Sequence, residues 1–567
     1  MKHAFSLLTL LLAVLPALAA ADAPPPPAKP NIVIFIADDL TWHDVACFGG
    51  PTAAKTPNLE RLASEGIKLT GFFSPASVCS PTRQALLTGM YPVRNGAYPN
   101  HALVRAGTKS LPHHLKALGY RCACVGKTHF GPSTSYPFDR MVAMRGEKAG
   151  GKGEDSGDGE LDATAMEQFI RSDAKQPFCL YVATHEPHGP WTKGDKSAYG
   201  DPAQLKLPPY LVDTPETRRE LPAYYAEVTY MDAQVGGLMK LLEKTGHAQD
   251  SLFLFVSEQG SSVPHGKWTC YDPGIRVAAI ARWPGKIQPG TANAALVQYV
   301  DVLPTLIAAA GGDPTQLDTG CPDATGQRGF DGRSFLDVLS GKSEHLRDYV
   351  FAEHTARGII KGPPAYGTRA VRDKRWKLIL NLEPDAEFAN AVSGGALLQS
   401  WRRKGEAGDA FARVQAARYT KRPPLELYDL QTDPWELTDV ADKPENSDTI
   451  ARLRTQLDAW MKQQGDAGDK TEREANQHQS GNHQTATEKP PSKKSADAAA
   501  AKPVDNRAAS RGTNFDRKDA NHDGKLSREE FLSSVPDPDV AKTRFAKWDT
   551  NKDGFLSREE FISMGGK

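Results

Sequence analysis

Strand-like and helix-like segments alternate between residue 31 and about residue 345, and this alternation limits the fold more than any other feature of the sequence. The first segment, Asn31–Ala37, is an apolar run typical of a strand buried on both faces of a parallel sheet. Further strands are predicted near 120–125, 178–184 and 252–256, and helices near 57–66, 111–118, 222–244 and 301–310. Such alternation predicts an α/β sandwich around a mainly parallel sheet.

The pattern changes after about residue 345. Shorter alternating segments with turn signals follow, and then a helix near 446–463, which together predict a smaller α+β subdomain over 346–464. Residues 465–512 contain few large apolar side chains and cannot bury enough surface to fold. We therefore expect a catalytic domain over 31–345, the subdomain, and a flexible linker over 465–512.

The first 21 residues have a short basic start, an apolar run and small residues at a cleavage-type site. This composition predicts a signal peptide over 1–21, with an uncleaved membrane anchor as the alternative. A secreted or periplasmic location is therefore expected. Basic and acidic side chains number 69 each, so no overall charge favours nucleic acid as a partner.

Seven cysteines occur at positions 47, 79, 122, 124, 179, 270 and 321, without zinc-finger spacing. Export permits disulfides but does not require them in a large domain. The odd number leaves one thiol unpaired if all the others pair.

The C-terminal segment, 513–567, contains a twelve-residue pattern twice, DANHDGKLSREE from residue 519 and DTNKDGFLSREE from residue 549. Alternate oxygen ligands, a glycine at the sharp turn and a final bidentate glutamate suit a seven-coordinate calcium ion. The pattern predicts an all-α pair of EF-hands, each with one Ca²⁺. The predicted ligands, including the position-seven carbonyls, are Asp519, Asn521, Asp523, Lys525, Glu530, Asp549, Asn551, Asp553, Phe555 and Glu560.

The segment Cys79-Ser80-Pro81-Thr82-Arg83 continues into QALLTGMYP. A thiol just before a helix that starts with proline would face backbone N–H groups and a positive dipole end, which is an anion site. In isolation, a buried cysteine beside a helix start would explain the segment equally well.

The segment and its surroundings resemble the formylglycine-dependent sulfatase family, in which this cysteine is oxidised to formylglycine. The resemblance runs from about residue 31 to about residue 440 and includes ADD, TPNLERLASEG, GKTH, HEPH, GKW, VDVLPTL, GFDGRSF and ELYDLQTDP. Within the family, the heparan N-sulfatases (N-sulfoglucosamine sulfohydrolases) and their bacterial relatives look most similar. The resemblance implies an alkaline-phosphatase-like fold, a sulfated carbohydrate substrate and maturation by a formylglycine-generating enzyme.

The resemblance also implies one active-site Ca²⁺, bound by Asp38, Asp39, the side chain of residue 79, Glu258 and Gln259. The family usually has Asp followed by Asn or His where this chain has Glu258-Gln259. Both side chains keep oxygen donors but are one methylene longer than Asp and Asn. A shifted calcium site, a different ion or weak binding are therefore alternatives.

The remaining site residues also follow from the resemblance. Arg83 and Lys127 would face the formylglycine and the sulfate, and His129 would take the proton from the formylglycine hydrate. His185 and Lys267 would bind the sulfate and protonate the leaving atom, a task that suits histidine because its pKa lies near working pH. We also expect sugar contacts from His101, His188 and His265, and specificity loops at 141–160 and 385–415.

Two other functions compete with this interpretation. A phosphodiesterase or phosphonate monoester hydrolase of the same superfamily would share the fold and the nucleophile. A calcium-binding adhesive protein with a decayed enzyme domain would explain the unusual Glu258-Gln259. For the EF-hands we expect stabilisation or calcium-dependent docking to a partner, because a long flexible linker transmits force poorly.

Overall fold

A computed structural model describes residues 29–50, 54–145, 159–478, 515, 518–519, 521, 523–533 and 545–564. The predicted signal peptide and most of the predicted linker lie outside these residues. The chain divides into two compact units, with the boundary after residue 486. No helix in the described part of the chain is both long enough and apolar enough to span a bilayer.

The first unit contains fourteen strands in the described residues. They are β1 (Asn31–Ala37), β2 (Ile67–Leu69), β3 (Phe72–Phe73), β4 (Arg121–Gly126), β5 (Arg140–Val142), β6 (Phe178–Ala183), β7 (Ser251–Ser257), β8 (Ala279–Arg282), β9 (Thr291–Asn293), β10 (Val297–Gln298), β11 (Val350–Thr355), β12 (Gly367–Arg372), β13 (Trp376–Asn381) and β14 (Leu425–Asp429).

Thirteen α-helices of this unit lie in the same residues. They are α1 (Pro57–Ser64), α2 (Cys79–Thr88), α3 (Pro92–Asn95), α4 (Leu111–Ala117), α5 (Ala163–Arg171), α6 (Pro215–Thr245), α7 (Asp272–Ile275), α8 (Val302–Ala309), α9 (Leu336–Leu339), α10 (Ala396–Glu406), α11 (Ala410–Thr420), α12 (Ser447–Gln464) and α13 (Asp469–Glu474).

The central sheet has eight strands in the order β5-β4-β6-β1-β7-β8-β2-β9. All neighbouring pairs are parallel except those that β8 makes with β7 and β2. Strand β1 is buried along its whole length because its side chains alternate between two cores. Val33 and Phe35 point into one core, and Ile32 and Ile34 into the other. The predicted α/β sandwich with a mainly parallel sheet is therefore confirmed.

The region after residue 345 forms a four-stranded antiparallel sheet, β11-β12-β13-β14. Helix α12 covers one face of this sheet, where Leu453 and Leu457 pack against Val371 and Leu378. This arrangement is the expected smaller α+β subdomain.

Three local predictions are wrong. Helix α6 begins at Pro215, so Pro222 lies inside it rather than at its start. Helix α2 begins at Cys79 itself, with Pro81 as its third residue. The predicted specificity loop 385–415 contains α10 and most of α11, because Leu398, Trp401 and other side chains of these helices are buried in the core.

The segment 466–478, expected to be linker, is part of the first unit and packs against its smaller subdomain. Asp466 forms a fully buried ion pair with Arg369. The Glu472 carboxylate accepts hydrogen bonds from the backbone N–H groups of Ala356 and Tyr366. These polar partners satisfy buried groups at the antiparallel sheet, so the first unit includes this segment.

All seven cysteines are free thiols in the structure. Cys122 and Cys179 lie opposite each other on the neighbouring strands β4 and β6 without forming a disulfide. The fold of the first unit is thus held by packing and hydrogen bonds.

The second unit contains the two predicted EF-hand loops. Each loop ends in a three-residue strand, Lys525–Ser527 and Phe555–Ser557, and a helix follows each strand, at Arg528–Ser533 and Arg558–Met564. The strands pair antiparallel with Leu526 opposite Leu556. Both leucines are buried among the aromatic side chains Phe515, Phe531, Phe545 and Phe561. This short ladder joins the two loops of the otherwise helical pair.

Candidate active site

Four neighbouring strands of the central sheet end at the same edge, and polar residues follow each of them. Asp38 and Asp39 follow β1, Lys127 follows β4, His185 follows β6, and Glu258 with Gln259 follows β7. Because parallel strands place their carboxyl ends together, residues far apart in the chain meet there. All six side chains are buried.

Helix α2 supplies Cys79 and Arg83 to this edge from its first two turns. The two side chains lie on the same helix face because they are four residues apart. Cys79 Sγ lies 3.5 Å from Asp38 Oδ1. Burial raises the pKa of the Cys79 thiol well above its usual value, and the carboxylates of Asp38 and Glu258 raise it further. The unmodified thiol is therefore a poor nucleophile at neutral pH.

Three carboxyl groups alternate with three cations at this site. Lys127 Nζ lies 2.7 Å from Asp38 Oδ2, and Lys267 Nζ lies 2.7 Å from Asp39 Oδ1. Arg83 donates through Nε to Glu258 Oε1 at 2.5 Å and through Nη1 to the Lys127 carbonyl at 3.1 Å. Burial would raise the pKa of Asp38, but Lys127 and its other neighbours hold it well below its usual range.

The unusual Glu258-Gln259 pair lies inside this cluster. Gln259 Nε2 lies 2.6 Å from Asp39 Oδ1, 3.2 Å from Glu258 Oε2 and 3.6 Å from Cys79 Sγ. Within the described residues, its other amide atom, Oε1, is buried and has no hydrogen-bond partner. Burial raises the pKa of the Glu258 carboxyl to about 8, although Arg83 opposes this effect.

These residues fit a hard divalent cation. One ligand atom each from Asp38, Asp39, Cys79 and Glu258 lies within 4.8 Å of the others. A half-turn of the Gln259 amide would exchange its nitrogen for the unsatisfied oxygen and give a further oxygen donor. Carboxylate and amide oxygens are the ligands that Ca²⁺ prefers, and a cation would offset the cost of burying an ionised Glu258.

Two histidines complete the deep part of the site. Burial lowers the pKa of His185 to about 3, and the charge of Lys127 lowers it further. His185 is therefore neutral and acts as a hydrogen-bonding group at physiological pH. His129 is buried, and its Nε2 lies 2.8 Å from Nδ1 of His101.

A cavity of about 360 Å³ opens over these residues. Cys79, Asp39, Lys267 and His129 line it, together with His101 and His188 of the three histidines expected to contact sugar. His188 Nε2 lies 3.7 Å from Asp39 Oδ2.

The third histidine, His265, does not line this cavity. It is buried against Trp401 and Tyr419, and it hydrogen-bonds to the Gln415 carbonyl. Helices α10 and α11, in a region expected to be a loop, cover His265 and make it a core residue. The expected sugar contact is therefore wrong for this residue.

One wall of the cavity is apolar, a character that the sequence did not predict, although Val392 in this wall lies in the predicted specificity region 385–415. Its side chains come from two regions: Trp268 follows Lys267, whereas Ile359, Ile360 and Val392 belong to the smaller subdomain. The side chain of Ile360 is 71% exposed. A hydrophobic residue with no place in a strand or helix pattern carries little sequence signal, so this wall became visible only in the folded chain.

In the two EF-hand loops, the first aspartate of each predicted ligand set hydrogen-bonds to the backbone of the glycine turn. Asp519 accepts from the backbone N–H of Gly524 at 2.8 Å, and Asp549 accepts from that of Gly554 at 3.0 Å. Asp523 and Asp553 accept from the backbone N–H groups of Lys525 and Phe555, which begin the paired strands. The final glutamates, Glu530 and Glu560, accept from the hydroxyls of Ser527 and Ser557. The side chain of Phe555 is exposed, as expected where only the carbonyl would bind.

Comparisons with known proteins follow the same division of the chain. Residues 30–312 match the family described as Sulfatase, and residues 264–389 match the family described as N-sulphoglucosamine sulphohydrolase, C-terminal. Residues 515–535 and 541–564 match the EF hand family. These matches confirm the resemblance predicted from the motifs.

Characterised relatives match most of the chain. An ulvan-active sulfatase of Formosa agariphila is 32% identical over 442 residues, which cover 77% of this chain and 81% of that protein. Human N-sulphoglucosamine sulphohydrolase is 28% identical, with 76% of this chain and 90% of that protein covered.

Solved structures share the fold at lower identity. A protein in complex with its substrate D-glucosamine-2-N,6-O-disulfate has a TM-score of 0.57 at 20% identity and covers 78% of this chain and 99% of its own. A phosphonate monoester hydrolase from Silicibacter pomeroyi has a TM-score of 0.54 at 21% identity, with 77% and 96% covered. The fold alone therefore does not separate the two activities, but the sequence relationship does. The chain belongs to the sulfatase family and is a hydrolase of sulfuric esters or sulfamates.

Proposed function

We propose that this protein is an exported sulfatase that removes sulfate from a carbohydrate through a formylglycine made from Cys79. The observation that carries the proposal is the convergence of Cys79, three carboxyl groups and three cations at the end of one cavity. The raised pKa of the thiol supports the need for modification, because the unmodified group would remain protonated. A separate formylglycine-generating enzyme would carry out the oxidation.

The proposed reaction begins with the aldehyde of residue 79 as its hydrate. One hydroxyl gives its proton to a neighbouring carboxylate and attacks the sulfur, and the bond from sulfur to the leaving oxygen or nitrogen breaks. Lys267 and His185 bind the sulfate oxygens, His185 as a neutral hydrogen-bonding group. The Lys267 ammonium delivers a proton to the leaving atom. Arg83 and Lys127 balance the negative charge of the neighbouring carboxylates and of the transferring group.

The second half of the reaction restores the aldehyde. His129 takes the proton of the remaining hydroxyl, the carbonyl double bond forms, and sulfate leaves with the electrons of its bond to carbon. A cysteine thiol has no second hydroxyl, so an unmodified enzyme would stop after one transfer.

Asp38, Asp39, Glu258 and Gln259, with the side chain of residue 79, would hold one Ca²⁺. When bound, this ion supplies Lewis-acid stabilisation of negative charge on the sulfate oxygens. The longer Glu258 and Gln259 side chains reach the same cluster as the aspartates. This reach favours a working site over a decayed one.

The names of the relatives support a sulfated carbohydrate as the substrate. One relative is described as active on ulvan and another as acting on N-sulfoglucosamine. Assays on N-sulfated and O-sulfated sugars distinguish cleavage of an S–N bond from cleavage of an S–O bond.

A substrate panel tests the proposal. Purified protein, co-produced with a formylglycine-generating enzyme, is assayed for sulfate release from N-sulfoglucosamine, O-sulfated sugars, an ulvan oligosaccharide and an aryl sulfate. An aryl phosphodiester and a phosphonate ester test the competing hydrolase activities. We expect sulfate release from at least one sugar and its loss in Cys79→Ala. Faster turnover of the phosphorus substrates would contradict the proposal.

We further propose that each EF-hand loop binds one Ca²⁺ and that the second unit docks to a partner in a calcium-dependent manner. The twice-repeated ligand pattern, its match to the EF hand family and the two glycine turns support the binding. Docking is favoured over regulation because the predicted linker is long and polar.

A further inference from the structure

Two histidine rings from different loops contact each other where they line the catalytic cavity. Nδ1 of His101 and Nε2 of His129 lie 2.8 Å apart, and the ring centroids are separated by 4.6 Å. Both residues have positive backbone φ angles, 62° and 49°, a conformation that non-glycine residues rarely adopt. The surrounding chain therefore holds the backbone of both residues in a conformation that a histidine disfavours.

His101 is held on its other side as well. Its Nε2 lies 3.0 Å from Nδ2 of Asn100, and a half-turn of that amide would place Oδ1 here as an acceptor instead. The backbone N–H of Asn100 donates to the Arg357 carbonyl at 3.2 Å. The His101 ring is thus fixed between His129 and a segment of the smaller subdomain. It is exposed towards the cavity, whereas His129 is buried.

We propose that His101 is a positioning residue that fixes the tautomer and orientation of His129 during release of sulfate. This inference rests on the proposed function, in which His129 accepts the proton of the formylglycine hydroxyl. A neutral imidazole has one donor and one acceptor nitrogen. With Oδ1 of Asn100 turned to accept from Nε2–H of His101, Nδ1 of His101 accepts from Nε2–H of His129, and Nδ1 of His129 is then the acceptor.

The step then balances without an additional reactant. The O–H bond of the hydroxyl breaks, and its proton moves to Nδ1 of His129. The carbonyl double bond of residue 79 forms, and the bond from its carbon to the sulfate oxygen breaks with the electron pair leaving on sulfate. His101 accepts a hydrogen bond throughout and stabilises the imidazolium that forms on His129. Solvent then takes the proton from His129.

Two variants that both tolerate the positive φ angle of residue 101 test this role. Glycine and asparagine both accept a positive φ, so neither His101→Gly nor His101→Asn strains the loop. Only asparagine carries a polar side-chain atom near the place of the histidine Nδ1. Each variant is prepared with its formylglycine content measured by mass spectrometry, and kcat and KM are measured on a sulfated sugar and on an aryl sulfate.

We expect His101→Gly to lower kcat on both substrates by roughly 10- to 100-fold, which is part of the 10²–10⁴ that a positioned proton acceptor contributes. KM should change little, the sulfated form of residue 79 should accumulate in intact-mass spectra, and His101→Asn should recover most of the rate.

Three results would overturn the inference. His101→Gly could turn over like wild type, or it could raise KM for the sugar alone, which would make His101 a sugar contact. Equal losses in both variants without the sulfated intermediate would indicate a structural role. Wild-type turnover that Cys79→Ala abolishes establishes the proposed function beforehand, so each of these results bears on His101 alone.

Discussion

At the scale of single residues, the site depends on charges that stabilise each other away from water. Glu258 illustrates this dependence, because its carboxyl is fully buried and Arg83 is its ion-pair partner. The sequence predicted Glu258 and Gln259 as ligands only because they occupy the position where the family usually has Asp followed by Asn or His. The structure places Gln259 in contact with Asp39 and a carboxylate oxygen of Glu258 within 4.8 Å of both aspartates, despite the extra methylene in each side chain.

Replacing Glu258 with Gln should weaken the active-site cation. The substitution removes a ligand charge and leaves Arg83 without its buried partner, whereas Glu258→Asp keeps the charge and supplies the residue usual in the family. We expect the free Ca²⁺ concentration for half-maximal sulfate release to rise on the order of 10- to 100-fold or more in Glu258→Gln. It should rise less in Glu258→Asp. The same calcium requirement in both variants and wild type would contradict this ligand assignment.

A buried acid outside the site should make stability depend on pH. Glu353 on β11 is 1% exposed, and neither carboxyl oxygen has a hydrogen-bond partner among the described residues. Burial raises the pKa of Glu353 to about 8. The folded protein therefore keeps this proton between about pH 4.5 and 8 while the unfolded chain loses it, so stability falls as pH rises through that window.

The variant Glu353→Gln should remove this dependence. Relative to wild type, its free energy of unfolding should increase by up to about 1.4 kcal/mol for each pH unit between pH 5 and 7.5. Urea titrations of both proteins at several pH values measure the difference. A constant difference across this range would mean that Glu353 is already ionised in the folded state.

At the scale of elements, the segment 466–478 changes the boundary of the enzyme. Its Asp466 neutralises Arg369, and its Glu472 caps two backbone N–H groups of the subdomain. Low apolar content predicted a linker from residue 465, because buried polar partners carry no hydrophobic periodicity. Continuous apolar strands were easier to predict: the expected 120–125 and 178–184 agree with β4 and β6 to within one residue at each end.

Truncations on either side of this segment should differ in stability. A chain ending at residue 486 keeps Asp466 and should retain the stability and turnover of the catalytic unit. A chain ending at residue 464 leaves the buried Arg369 unpaired, which should cost about 3–5 kcal/mol. Thermal and urea unfolding of the two truncated proteins measure this cost. Equal unfolding free energies would show that the segment is dispensable.

The pairing of His101 with His129 marks the limit of sequence prediction at the site. GKTH identified His129, but His101 lies in a separate loop and was expected to contact sugar. Their distance depends on two positive φ angles and on the subdomain contact of Asn100, none of which leaves a periodic signal. Motifs thus identified the reacting residues, whereas residues that orient them required the folded chain.

At the scale of the whole molecule, the proposed calcium sites belong to two separate units. The full chain should therefore bind three Ca²⁺, and a chain ending at residue 486 should bind one. Isothermal titration of calcium-free protein measures the number of sites, and Glu530→Gln with Glu560→Gln in the full chain provides a control that weakens only the EF-hands. Sulfate release from a small substrate should remain calcium-dependent in the truncated chain. Loss of that dependence on truncation would assign the catalytic requirement to the EF-hands.

The central claim is that formylglycine at position 79 is the working group of a sulfatase. The most direct measurement compares preparations made with increasing amounts of formylglycine-generating enzyme, each with its aldehyde fraction at residue 79 determined by mass spectrometry. Sulfate release should rise in proportion to that fraction and extrapolate to zero where residue 79 is all cysteine. Release that is independent of the aldehyde fraction would contradict the account.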